Sequence, residues 1–167
     1  MAIKDRKELF VWMLSNVTQG AEKSAKFYQE VSQVADDPHI KEALTARAFI
    51  ADKTLGTLKE CFKLIGAQPM KPNEKIQDVF IEDFRRELSE IQSPEAKRLF
   101  ILAKISHFVH ARIGEYVALV AAADMTGNYG VGVLLESALA DKLALAERTR
   151  RLIKNLVIEK VAERRAA

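Results

Sequence analysis

The sequence has one cysteine in 167 residues, Cys61, so no disulfide can form within the chain, and a reducing compartment is expected. It has no long apolar run. The most apolar window, Ile113–Ala123, is about half of what spans a bilayer and contains Glu115, so no transmembrane helix is expected. Near the start, Lys4, Asp5, Arg6, Lys7 and Glu8 interrupt anything resembling a secretory apolar core, and no signal peptide is expected. Neither sign of charge dominates. With 26 Lys and Arg against 23 Asp and Glu, the formal charge is +3, which does not imply obligate nucleic-acid binding. No stretch alternates apolar and polar residues between turn signals, so strands are not expected. Glycine and proline are sparse, at seven and four. What remains is a cytoplasmic, helical chain of a length that suits one domain with a proper core.

The apolar residues recur at three- and four-residue steps. Phe10, Leu14, Val17, Ala21, Ser24, Tyr28, Val31 and Ala35 give one stripe, so a long helix is predicted over about 3–35. Asp37 and Pro38 form a helix start, and Gly66 suits a C-cap, bounding a second helix over 38–65. Thr45, Phe49, Asp52, Leu55, Phe62 and Ile65 are expected to face inward on it. A two-proline connector precedes a short amphipathic helix over 74–91. Ser93-Pro94-Glu95 opens a third long helix, 95–126, with Leu102, Val109, Ile113, Tyr116 and Ala123 on its apolar side. Gly127 and Gly130 separate it from a fourth, 131–158, and the charged tail 159–167 is expected to fray. Short links make two antiparallel hairpins, and the short helix supplies the crossover between them. The predicted class is therefore all-α: a ferritin-like up-down four-helix bundle with a short extra helix between helices two and three.

Such bundles do chemistry by turning glutamates and histidines inward, commonly as Glu-x-x-His pairs. No glutamate lies three residues from His107 or His110, and Glu115 is expected on the outer side. Glu22 lies about 100° from the stripe residue Ala21, on the rim. Asp52 falls on the second stripe, Arg112 on the third, and either Asp141 or Lys142 on the fourth. Charges of both signs at one depth are expected either to pair or to reach solvent. Cys61, between Leu58 and Phe62, suits a structural thiol. The cations of the last helix, Arg148, Arg150, Arg151, Lys154, Lys160, Arg164 and Arg165, have no interleaved aromatics. They suit a solvated face rather than a nucleic-acid surface. No nucleophilic triad and no Gly-rich phosphate loop is present.

The chain resembles the YciF/YciE family of bacterial ferritin-like, stress-associated proteins. The residues that carry the resemblance are Glu8-Leu9-Phe10, Ala21-Glu22-Lys23, Asp37-Pro38 with Ile40–Leu44, and Leu64-Ile65-Gly66. To these add Tyr116 before Met125-Thr126-Gly127, and Leu134–Leu139. The resemblance implies a bundle, commonly dimeric, able to hold two metal ions through inward carboxylates. Carried over by position, the ligand places fall on Ala21, on Phe49, Ile50 and Asp52, on Val109 and Arg112, and on Asp141 and Lys142. Most are apolar or cationic.

The expectation is therefore a metal-free, non-enzymatic homodimer, acting through contacts with a further protein and without a membrane. Its core would hold an ion pair between Arg112 and Asp52, Asp141 or both, with Lys142 the other candidate. The competing expectation is a divergent di-iron or di-manganese protein using Glu22, Asp52, His110 and Asp141.

Overall fold

Each helix begins and ends where local chemistry satisfies its free backbone groups. A computed structural model describes residues 2–71 and 75–166, with side chains described as far as residue 158. The first helix, α1 (Arg6–Val34), starts three residues later than the stripe predicts, because the Asp5 carboxylate accepts the Glu8 N–H as an N-cap. In α2 (Pro38–Ile65), the Asp37 carboxylate accepts the N–H groups of His39 and Ile40, and Gly66 closes the helix in the left-handed region at φ 64°. Then follow α3 (Ile76–Glu90), α4 (Pro94–Met125), capped by Ser93, and α5 (Tyr129–Ala166). The expected start at Glu74 lies outside the described residues, as do the side chains of the tail expected to fray. No strand occurs among the described residues, and no helix there is long and apolar enough to cross a membrane.

The helices form the ferritin-like arrangement. α1 packs along α2 and α4 along α5; the hairpins join through α2 on α5 and α1 on α4, while α3 lies across α4 and α1. All four long contacts are antiparallel. Arg112 meets Val17 whereas Phe108 meets Phe27, and Glu42 meets Arg148 whereas Lys53 meets Asp141.

Two apolar clusters fill the bundle. One, around Phe10, Leu14, Leu58, Cys61, Leu119 and Leu135, occupies the end bearing the α4–α5 turn. The other is aromatic: Phe27 stands edge-on to Phe80, Phe84 and Phe108, so α3 is pinned by ring contacts from two helices. The predicted α1 stripe is buried throughout.

The α2 stripe needs correction. Thr45, Phe49 and Asp52 point outward, with Phe49 71% exposed, and the buried line is Ile40, Ala43, Leu44, Arg47, Ala51, Thr54, Leu58 and Cys61. Placing an arginine and a threonine inside lets a phenylalanine stay outside, because the helix is rotated to suit its ends, where Ile40, Leu44 and Leu58 anchor it.

Candidate functional site at the middle of the bundle

Between the two apolar clusters every long helix contributes a polar side chain: Ser24 from α1, Arg47 and Thr54 from α2, Arg112 from α4, and Lys142 and Thr149 from α5. The three cations are 2%, 6% and 9% exposed, respectively. Burying charge at this depth is costly unless each group finds a partner. Arg47 Nη2 donates to the Leu145 carbonyl at 2.6 Å and to the Thr149 hydroxyl, which itself donates back to Leu145 at 2.9 Å. The Arg47 guanidinium also lies 5.8 Å from the centroid of the Tyr28 ring. Arg112 Nη2 donates to the Val17 carbonyl at 3.0 Å, and its Nη1 pairs with Glu115 one turn on. Lys142 Nζ sits 4.0 Å from the Tyr116 centroid, within cation–π range.

Gly20 makes room for Arg112. A Cβ there would lie 2.7 Å from the guanidinium carbon. Gly20→Ala is expected to push Arg112 off its seat and cost about 1–2 kcal/mol by overpacking. Chemical denaturation of the variant checks this, and a change within about 0.5 kcal/mol would refute the tight seating.

Electrostatics follow from the burial. Desolvation lowers the Lys142 pKa to about 8, with Arg112 adding to the effect and Asp141 and Glu115 opposing it. Burial pushes the Tyr28 phenol up, against the pull of Arg47 and Arg112, and raises Tyr116 as well. Both phenols therefore stay protonated at neutral pH. A small cavity of about 30 Å³ opens in the layer, lined by Tyr28, Arg47, Thr54, Arg112, Tyr116 and Lys142 among others.

The sequence-based candidates divide sharply. Arg112 and Lys142 do face the core, and the open choice at 141/142 falls to Lys142. The expected partners of Arg112 do not. Asp52 is exposed, and the half-buried Asp141 pairs at 3.0 Å with Lys53 across the α2–α5 contact. The partner is Glu115, from the same helix, which bends in from the rim at 31% side-chain exposure. Glu22 is exposed on α1, and His110 is exposed with Nδ1 2.7 Å from the Ser106 carbonyl. Glu22, Asp52, His110 and Asp141 thus do not converge. Among the described residues no group of three His, Cys, Asp or Glu is placed to hold a metal ion.

Arg47 was missed by sequence reasoning. Its only signal is its position, three residues after Leu44 and four before Ala51, on the true stripe. Cys61 is buried, and desolvation raises its pKa to about 11, as suits an unreactive thiol. On the outer face of α5, Arg148 pairs with Glu42, and Arg150 and Arg151 share Glu147, while Lys160, Arg164 and Arg165 lie outside the described side chains.

The donor set does not fit a di-metal centre. Such a centre needs anionic oxygens to balance two divalent ions; this layer presents two guanidiniums, an ammonium and protonated phenols, with one carboxylate at its edge.

Fold and layer together define a ferritin-like four-helix bundle with a cationic middle. Residues 5–162 match the family model described as "Domain of unknown function (DUF892)", and the chain belongs to this family. Its backbone is similar to that of YcfI from Rhodopseudomonas palustris, a candidate structural protein, with a TM-score of 0.85 at 20% identity, covering 89% of this chain and 94% of that one. It is likewise similar to the E. coli stress protein YciF, with a TM-score of 0.87 at 16% identity over 92% and 98% of the two chains. A protein from Xanthomonas campestris pv. campestris gives 0.74 at 15% identity, over 96% and 99%. No curated protein sequence matches. These findings make the chain a YciF-like family member.

Proposed function

We propose that this chain is a metal-free, non-enzymatic member of its family, a cytoplasmic structural or stress-associated protein whose middle layer has exchanged metal ligands for cations. One observation carries the reading: Arg47, Arg112 and Lys142 are all buried at one level of the bundle, with a single carboxylate among the described residues, Glu115, touching any of them. A divalent ion placed there would face repulsion from three cations that one carboxylate does not offset. The candidate structural role of YcfI and the stress association of YciF agree in kind with a scaffold whose interior does no chemistry.

A homodimer, acting through contacts with a further protein, is part of the same proposal. The test is elemental analysis of protein expressed with added iron and manganese and purified without chelators, together with light scattering on the same sample. Metal far below one ion per chain is expected, with a mass twice the 18.7 kDa of the chain. Stoichiometric iron or manganese would overturn the metal-free reading, and a mass of one chain would overturn the dimer.

A further inference from the structure

We propose that the cavity in the middle layer binds one small monovalent anion of the halide class, held by Arg47, Arg112 and Lys142. The proposal rests on the reading of this layer as cationic rather than metal-binding.

Size, charge and hydrogen-bonding capacity point the same way. The cavity of about 30 Å³ is roughly twice what one water requires, so it admits a monatomic anion. Three cations border it, and the one carboxylate that reaches any of them is engaged by Arg112 from the rim. Among the described residues Arg47 has no carboxylate partner: Nη2 is spent on neutral oxygens of α5. Its Nη1 is buried without a hydrogen-bond partner among the described residues, and so are Thr54 Oγ1 and Tyr116 Oη, whose residues line the same cavity.

The layer is thus rich in donors, and among the described residues its backbone acceptors are spent. The carbonyls of Leu145 and Val17 are already occupied by the two guanidiniums, and that of Gly20 accepts from Ser24 and Gln77. A water molecule would bring two more hydrogens into this setting, with hydroxyl oxygens such as those of Thr54 and Tyr116 left to accept them. A halide accepts from every neighbour and returns nothing, and it lowers the charge of the layer by one. Charge-assisted contacts of this kind are stronger than neutral ones, and more so where water is excluded.

Crystals of the full chain grown in sodium bromide, measured at the bromine, iron and manganese absorption edges, test the assignment. The expected result is a bromine-edge anomalous peak in the cavity, within hydrogen-bonding reach of Arg47 Nη1. In solution, chloride is expected to raise Tm by a few degrees and to saturate, at ionic strength held constant with gluconate, an anion too large to enter. A cavity without a bromine peak, or a Tm that does not distinguish chloride from gluconate, would overturn the anion site. A peak at the iron or manganese edge would instead overturn the metal-free reading. Absence of all three peaks removes the anion and leaves that reading standing.

Discussion

Removing Glu115 alone is expected to cost the fold about 3 kcal/mol, whereas removing Glu115 and Arg112 together is expected to cost less than about 1 kcal/mol. Arg112 is buried against Gly20 and Val17, and among the described residues Glu115 is the one carboxylate that touches it. In Glu115→Ala the guanidinium keeps its bond to the Val17 carbonyl but loses its counter-charge in a layer that already holds two other cations. Glu115 is partly solvated, which places the loss at the low end of the range for broken buried pairs. In the double variant Arg112→Met, Glu115→Met, no charge is stranded, and the methionines fill the space with flexible apolar chains. Urea unfolding of the parent, both single variants and the double variant closes a cycle whose interaction energy is the pair's own contribution. A Glu115→Ala variant within about 0.5 kcal/mol of the parent would show that Arg112 does not depend on it.

The second large effect is a rise in stability with pH. In halide-free buffer, Lys142 has a pKa of about 8 in the folded chain against an ordinary 10.5, so between these values the unfolded chain binds more protons than the folded one. Stability therefore increases as pH climbs from about 8 towards 10.5. The full span is worth about 3 kcal/mol at 1.36 kcal/mol per unit, with about 1 kcal/mol gained by pH 9.

The groups facing Lys142 are Arg112, Glu115 and Tyr116 of α4, Arg47 of α2, Tyr28 of α1 and its own neighbour Asp141. Tyr28, Tyr116 and Cys61 are displaced upward and oppose the rise at higher pH, since the folded chain then holds protons the unfolded chain has lost. The comparison is therefore made against Lys142→Met between pH 7 and 9. The variant is expected to be the more stable at pH 7, with its advantage shrinking as pH rises. A constant difference would place the ammonium in water.

The ends of the helices were legible because caps act locally. Asp37-Pro38, Gly66 and Ser93-Pro94 satisfy backbone groups within a few residues of themselves, and no distant contact competes with them. The α1 stripe was legible for a related reason: the eight positions read as its stripe carry nothing more polar than Ser24 and the Tyr28 hydroxyl, although Ser15, Asn16 and Ser32 beside it are buried too. On α2 the same rule misled, because Phe49 is exposed and Arg47 is buried, and hydrophobicity alone cannot foresee either. Arg47 is accepted inside by Leu145 and Thr149, residues 98 and 102 positions away. Only the packed bundle shows that those acceptors are there. The choice between Asp141 and Lys142 turned on about 100° of helix rotation, finer than a stripe with few large residues can fix. For Arg112 the burial was legible but the partner was not. A search for acids on other helices passed over Glu115, whose i, i+3 spacing was visible and whose backbone position lies on the outer side.

Gly20 carries one consequence beyond room for a side chain. It is the single glycine of α1, and the Arg112 guanidinium lies directly over it. If α4 slid along α1 by one helical turn, about 5.4 Å, the same guanidinium would arrive opposite Asn16 or Ser24, where a Cβ stands in its way. The arginine and the glycine therefore act as bolt and socket between the two hairpins, fixing how far one is drawn along the other.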